Sequence, residues 1–207
     1  MSEKTVVYTS IFDDYDVLMD PKYEPQNIDF VCFTDSDLSS GIWEIRNHSS
    51  SSISPKMMNR KLKLFPHKFL KEYEYSIYID GNIQVMRDLN QFIQTYCNDS
   101  NFVAYHHPGR DCVYEEAQRC IELGLGREKL INDQIKKYRD EGLPENIGLS
   151  DNSVLFRNHS DEAIRYLMDK WWEEIKMESG RDQIALPYVA WKYDIDYKLL
   201  PNNYRWT

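Results

Sequence analysis

Two kinds of segment in this chain carry residues that could do chemistry, a run of cations and a set of short acidic strand ends. From Ile45 through Lys71 there is no acid, while Arg46, Lys56, Arg60, Lys61, Lys63, Lys68 and Lys71 are all basic. Residues 1–45 are the reverse, with ten acids against Lys4 and Lys22. A basic island in a protein of net charge −9 suits a compact anion better than a long polyanion. A solvated helix face would have the same composition, so spacing has to decide. Ser54-Pro55 reads as a helix start, with Ser as N-cap and Pro at the first helical position. Lys56, Arg60 and Lys63 then fall at i, i+4 and i+7 and share one stripe. Met58, Leu62 and Phe65 lie opposite and read as core, and Pro66 ends or kinks the helix. The helix N-terminus adds partial positive charge. The stripe fits a diphosphate, and Lys56 and Arg60, nearest that end, fit it best.

Asp80-Gly81-Asn82 is the sharpest acidic segment. It follows the apolar run Glu74–Ile79, and glycine lets two short oxygen-bearing side chains turn toward one hard cation such as magnesium or manganese. An Asp-Gly turn is the alternative for the same residues. No Asp-x-Asp-x-Thr/Val phosphatase motif and no phosphate-binding Gly-x-x-x-x-Gly-Lys-Ser/Thr loop occurs, and the first glycine is Gly41, too late for an N-terminal glycine-rich nucleotidyltransferase loop.

The elements that must position these residues alternate. Strands are expected over Thr5–Thr9, Asp29–Thr34, Ile42–Arg46, Glu74–Ile79, Asn101–Tyr105 and Ser153–Arg157. Helices are expected over Leu89–Tyr96, Val113–Glu122, Glu128–Asp140, Glu162–Ile175 and Asp182–Lys192. This is an α/β pattern with a mostly parallel central sheet flanked by helices, in which ligands bind beyond the carboxyl ends of the strands. The length of 207 residues fits a single domain spanning 1–207, with Ser49–Ser52 as a loop rather than a boundary. No apolar run is long enough for a transmembrane helix and no leader pattern opens the chain, so a cytoplasmic protein is expected. The acidic balance argues against nucleic acid as a partner. Cys32, Cys97, Cys112 and Cys120 form no CxxC pair and are expected as reduced thiols.

Taken in order, the motifs resemble a GT-A glycosyltransferase, and more narrowly the family known as domain of unknown function 616. The resemblance runs from Phe33-Thr34-Asp35 through Ser54-Pro55-Lys56 with Asn59-Arg60, and Tyr78-Ile79-Asp80-Gly81-Asn82. It continues with His107, Arg110 and Tyr114-Glu115-Glu116-Ala117, then Gln134, Tyr138 and Gly142. Arg157-Asn158-His159, Trp171-Trp172-Glu173-Glu174 and Ser179-Gly180-Arg181-Asp182-Gln183 complete it. It implies a GT-A-like, Rossmann-type fold. It also implies hexosyl-type transfer from a UDP- or GDP-linked nucleotide sugar to a glycan or other hydroxyl acceptor in surface polysaccharide synthesis, with Mn²⁺ or Mg²⁺.

By the same resemblance, Asp80 and Asn82 stand at the Asp-x-Asp position, with a neutral Asn82 in place of the second carboxylate. His159 is the last histidine and the candidate for a late metal ligand. Thr9, Ser10, Asp13, Asp14 and Asp35 would meet the nucleoside. Lys56 and Arg60 would bind the diphosphate and stabilise its charge as it leaves. His107, Arg110, Asp151, Asn152, Arg181 and Gln183 would contact substrate. Asp182 would serve as general base on the acceptor hydroxyl if the anomeric centre inverts, although capping of a helix explains an acid there equally well. Two other functions stay open. A non-catalytic nucleotide- or carbohydrate-binding module would bind without turnover, and a nucleotidyltransferase would need pyrophosphate chemistry.

Overall fold

Val6, Val7 and Tyr8 in the first apolar run are wholly buried, as expected of a central strand covered on both faces. The computed structural model describes residues 4–48 and 52–201; the start of the Ser49–Ser52 run lies outside the described residues. The elements are β1 (Thr5–Ile11), β2 (Ile28–Thr34), β3 (Glu44–Asn47), α1 (Pro55–Leu64), α2 (Pro66–Phe69), β4 (Tyr75–Ile79), α3 (Leu89–Phe92), β5 (Phe102–His106), α4 (Val113–Glu122), α5 (Glu128–Asp140), β6 (Ser150–Asn158), α6 (Glu162–Met177), α7 (Asp182–Tyr193) and β7 (Lys198–Leu200). The expected elements are all present, and the parallel ladders β1·β2, β1·β4, β2·β3 and β5·β7 make the architecture mostly parallel α/β.

The chain divides into two units, Met1–Phe102 with Ser153–Arg165, and Val103–Asn152 with Tyr166–Thr207. In the first, β1 sits between β2 and β4, β3 lies outside β2, and β6 pairs antiparallel with β4 in the register Tyr75↔Asn158 to Ile79↔Val154. Ile11 pairs with Thr34, and Thr34 with Asn47, so the carboxyl ends of these parallel strands finish level. Helix α1 starts as expected: the Ser54 hydroxyl accepts from the Met57 amide, and Pro55 opens the first turn. In the second unit β5 pairs parallel with β7, and α4 packs on α5 and α7. Helix α7 is buried from Ile184 through Ala190, which its nearly unbroken apolar sequence requires.

Several elements differ from expectation. The helix expected over Leu89–Tyr96 is α3 followed by a π-helical turn, Ile93–Cys97. Pro66 ends α1 and at once opens α2. β7 has no sequence signal beyond Leu199-Leu200. β6 begins at Ser150, so Asp151 and Asn152 lie within the strand, not in a loop before it.

Candidate functional site

In the first unit, the ends of β1, β2 and β4 gather most of the acidic residues singled out by spacing. The Asp13 amide donates to Asp35 Oδ1 at 3.0 Å, and the Ser36 hydroxyl donates to Asp14 Oδ1 at 2.6 Å, tying the loop after β1 to the end of β2. Asp13 and Asp14 both have positive φ, 58° and 49°, in succession. Two consecutive left-handed non-glycine residues are strained, and aspartate is among the residue types that tolerate this best. The same loop brings Asp16 against the turn after β4. A side chain at Gly81 would put its Cβ 2.7 Å from Asp16 Cβ and 2.8 Å from Asp16 Oδ2, so only glycine admits this approach. Burial, and then the charge of Asp80, holds the Asp16 carboxyl above its ordinary range.

Helix α1 is fastened along these strand ends at two points. The Asn59 side-chain amide donates to the Ser10 carbonyl at 2.6 Å, and Lys63 Nζ lies 3.5 Å from Asp80 Oδ1. The Lys63 side chain is 6% exposed and its ammonium sits 4.9 Å from the centre of the Tyr78 ring. The expected solvent stripe is therefore corrected at its last member. Lys56 is exposed and Arg60 partly buried, but Lys63 lies with Leu62 and Leu64 in a last turn that is buried on every side. Behind it, the Lys63 carbonyl accepts from the Tyr8 hydroxyl at 2.8 Å and from Arg157 Nη1, and Arg157 Nη2 donates to the Tyr8 oxygen. Burial raises the Tyr8 hydroxyl to about 12 and lowers the Arg157 guanidinium.

Two further expectations change here. Thr9 and Ser10 are each 1% exposed, so neither presents a side chain to a surface ligand. Ser10 instead anchors α1: its hydroxyl faces the Asn59 carbonyl at 3.4 Å. Thr9 Oγ1 is buried and finds no hydrogen-bond partner among the described residues.

A divalent cation, the group this fold implies, fits these residues poorly. His159 is excluded as its ligand by topology. It follows β6, which runs antiparallel to β4, and its amide bonds Glu74 at the start of β4, whereas the Asp80 amide bonds Ser153 at the other end. The five residues Tyr75–Ile79 lie between, a rise of roughly 16 Å. His159 Nδ1 bonds the Tyr73 carbonyl at 3.0 Å, and burial pushes its imidazole down to about 3. Asn82 is exposed and neutral. Asp80 faces the Lys63 ammonium, and a divalent ion about 4 Å from an ammonium is repelled by roughly 8 kcal/mol at an effective dielectric near 20. Among the described residues no group of three or more His, Cys, Asp and Glu side chains is placed to hold a metal.

In the second unit, His107 and Arg110 converge on one residue not singled out for a role, Glu116. Glu116 is 3% exposed. Its Oε2 accepts from Arg110 Nε at 2.7 Å and lies 4.0 Å from His107 Nε2, and its Oε1 accepts from the Cys120 thiol at 3.3 Å. Arg181 acts on the same thiol, whose proton is held mainly by burial. His107 Nδ1 accepts from the amides of Gly109 and Arg110 at 3.2 and 3.0 Å. Burial, then the Arg110 charge, lowers its imidazole below the usual histidine range, so it is neutral. Its first ring nitrogen orders the loop rather than facing a ligand. An acid at the fourth position of an amphipathic helix, on its apolar face, is the signal that could have found Glu116: Glu115 beside it is exposed, while Glu116 lies on the core face with Val113, Ala117 and Cys120. Arg110 also lines an open cavity of about 540 Å³, with Tyr114, Arg119, Glu122, Arg139 and Glu145.

Asn152, expected to face an acceptor, is 2% exposed and accepts from the Ser150 hydroxyl at 2.7 Å. Strand alternation turns it inward and leaves Asp151 half-buried. Gln183 Nε2 donates to the Ser150 carbonyl at 3.4 Å. Asp182, 8% exposed, opens α7, and its carbonyl accepts from Trp171 Nε1 at 3.0 Å.

The family described as the TOD1/MUCI70 glycosyltransferase-like domain matches residues 33–204. The chain belongs to this family. It is 24% identical over 213 residues to the protein named "Probable hexosyltransferase MUCI70" of Arabidopsis thaliana, covering 89% of this chain and 36% of that protein. The chain thus spans about a third of that relative's length. Among solved structures it is similar to the bifunctional glycosyltransferase WbbM, with TM-score 0.56, 10% identity, and coverage of 98% of this chain and 39% of the other. It is also similar to mouse xyloside xylosyltransferase 1, with TM-score 0.54, 10% identity, and coverage of 97% and 85%. These likenesses show the fold, the GT-A-like arrangement that the resemblance implied. The family places the chain among glycosyltransferase-like proteins, for which the general chemistry is sugar transfer. Among the described residues no helix is long and apolar enough to cross a membrane.

Proposed function

We propose that residues 1–207 act as one glycosyltransferase domain moving a hexosyl-type sugar from a UDP- or GDP-linked donor to a hydroxyl of a glycan, in surface polysaccharide synthesis. The observation that carries the reading is the fastening of α1 along the ends of β1 and β4 by Asn59–Ser10 and Lys63–Asp80. Arg60 directly follows Asn59 and Lys56 lies one turn earlier, so both candidate cations stand on the helix that is fastened to these strand ends. Cations there would take the diphosphate and stabilise the negative charge that develops on it as the sugar–phosphate bond breaks. Asp13 and Asp35 would accept from the ribose or base. In the second unit, Arg110, which lines its cavity, would contact the acceptor, as would Asp151, Arg181 and Gln183. Asp182 would take the proton of the attacking hydroxyl.

Calorimetry with UDP and GDP, followed by release of sugar from the matching nucleotide sugars, tests this reading. One of the two nucleotides is expected to bind, and Arg60→Ala to weaken it by about tenfold or more, as loss of a charge-assisted contact requires. Unchanged binding in Arg60→Ala would remove the diphosphate from α1. Binding without any sugar release would favour the non-catalytic module.

A further inference from the structure

The ion pair between α1 and the end of β4 has a consequence for how the donor is held. Lys63 is a lysine with 6% of its side chain exposed, 3.5 Å from Asp80 Oδ1 and 4.9 Å from the Tyr78 ring centre. It is held from behind as well as in front. Its own carbonyl is clamped by Tyr8 and Arg157, so the last turn of α1 cannot swing away without breaking bonds in the core. The carboxylate that the family pattern would offer to a metal is thus already matched by a cation built into the chain. The other position of that pattern is Asn82, which is exposed and carries no charge. The nearby Asp16 side chain lies against Gly81.

We infer that Lys63 stands in for a divalent cation as the counter-charge of Asp80, and that the nucleoside diphosphate is bound at this end without a metal, its charge met by Lys56 and Arg60. The inference rests on the donor-site reading given above and goes beyond it by assigning the cation. It balances charge locally. Asp80 is neutralised by Lys63, and the two phosphates face two side-chain cations and the N-terminal end of a ten-residue helix. A ligand that arrives as a metal complex would bring two positive charges toward an ammonium that cannot retreat.

The test is the dissociation constant of the free nucleoside diphosphates, UDP and GDP, measured on the whole chain in excess EDTA and again in excess MnCl₂ or MgCl₂. The expected result is a constant that changes by less than about threefold between the two conditions. Binding that tightens by more than about threefold with either metal overturns the inference and leaves the donor site standing. Absence of binding under both conditions overturns the donor site itself, and the inference with it. The paired variant is Lys63→Met, checked for a cooperative melt. It strips Asp80 of its counter-charge and is expected to bind nucleotide about tenfold more weakly in EDTA, with MnCl₂ restoring much of the loss. Equal affinity of the variant and the wild type in EDTA overturns the role of Lys63 without reference to turnover.

Discussion

At the scale of single residues, exposure separates the side chains that can meet a ligand from those that hold the site. Asp13, Asp35, Lys56 and Asp80 reach solvent, whereas Ser10, Lys63 and Asn152 are spent on internal contacts. Asp182→Asn separates chemistry from binding. If Asp182 is the base, sugar transfer falls by about 10²–10⁴-fold while the nucleotide dissociation constant stays the same; a parallel fall in both would make it a structural residue of the first turn of α7, whose N-cap is Arg181. His159 gives a prediction on stability. Its imidazole is held down to about 3, whereas the unfolded chain titrates near 6.5. The unfolded state therefore binds the extra proton first, and the contribution is fully present above pH 6.5 and is lost as pH falls from 6.5 toward 3. The slope from this one group approaches 1.4 kcal/mol per pH unit, at about the upper limit. His159→Asn, which keeps a donor toward the Tyr73 carbonyl, is expected to flatten the urea-unfolding free energy across that window. An unchanged slope would assign the acid sensitivity to other groups. Residue types and their spacing made the aspartates and basic residues legible as candidates. Burial was not legible, because it depends on which element lies above each position.

At the scale of elements, α1 is the part whose placement matters most, and its sequence shows both why it forms and where it stops. Ser54-Pro55 starts it, Met58 and Leu62 bury one side, and Pro66 ends it. The stripe read at i, i+4 and i+7 failed only at Lys63. There the helix dives into the core, and all positions from Leu62 to Pro66 are covered whatever their angle on the helical wheel. The end of α1 is pinned by the Tyr8 hydroxyl, shared between the Lys63 carbonyl and Arg157. Tyr8→Phe leaves a buried guanidinium short of an acceptor and is expected to cost about 1–3 kcal/mol. A lower urea midpoint with an unchanged m-value would show it. No change in midpoint would mean that Arg157 finds another acceptor, and that the clamp on α1 is weaker than its geometry. The π-helical turn after α3 and the short strand β7 had no periodic signal to betray them, being too brief for either a 3.6- or a 2-residue period to repeat.

At the scale of the whole molecule, the chain passes between its two units three times, at Phe102–Val103, Asn152–Ser153 and Arg165–Tyr166. The first unit is therefore not a continuous piece of sequence. Its strand β6 arrives from beyond residue 150 and pairs with β4. A fragment of residues 1–102 would leave β4 with an open, apolar edge. It is expected to give no cooperative thermal transition and to aggregate, read by circular dichroism and light scattering. A soluble fragment with a sharp melt would show that β6 is dispensable.

The sequence alone determined the class of the molecule, because apolar alternation, helix caps and turn residues act over a few neighbouring positions. It determined the ordered motifs that mark the family, and the contrast between an acidic N-terminal segment and a basic helix. Only the tertiary structure decided which of these residues share a site. His159 and Asp80 look like partners along the chain, and an antiparallel strand puts them at opposite ends of β4. Lys63 and Asp80 are seventeen positions apart and were assigned to different ligands, yet they face each other. Charge interactions act through space and not along the chain, so the pairing that governs the metal question could come only from the fold.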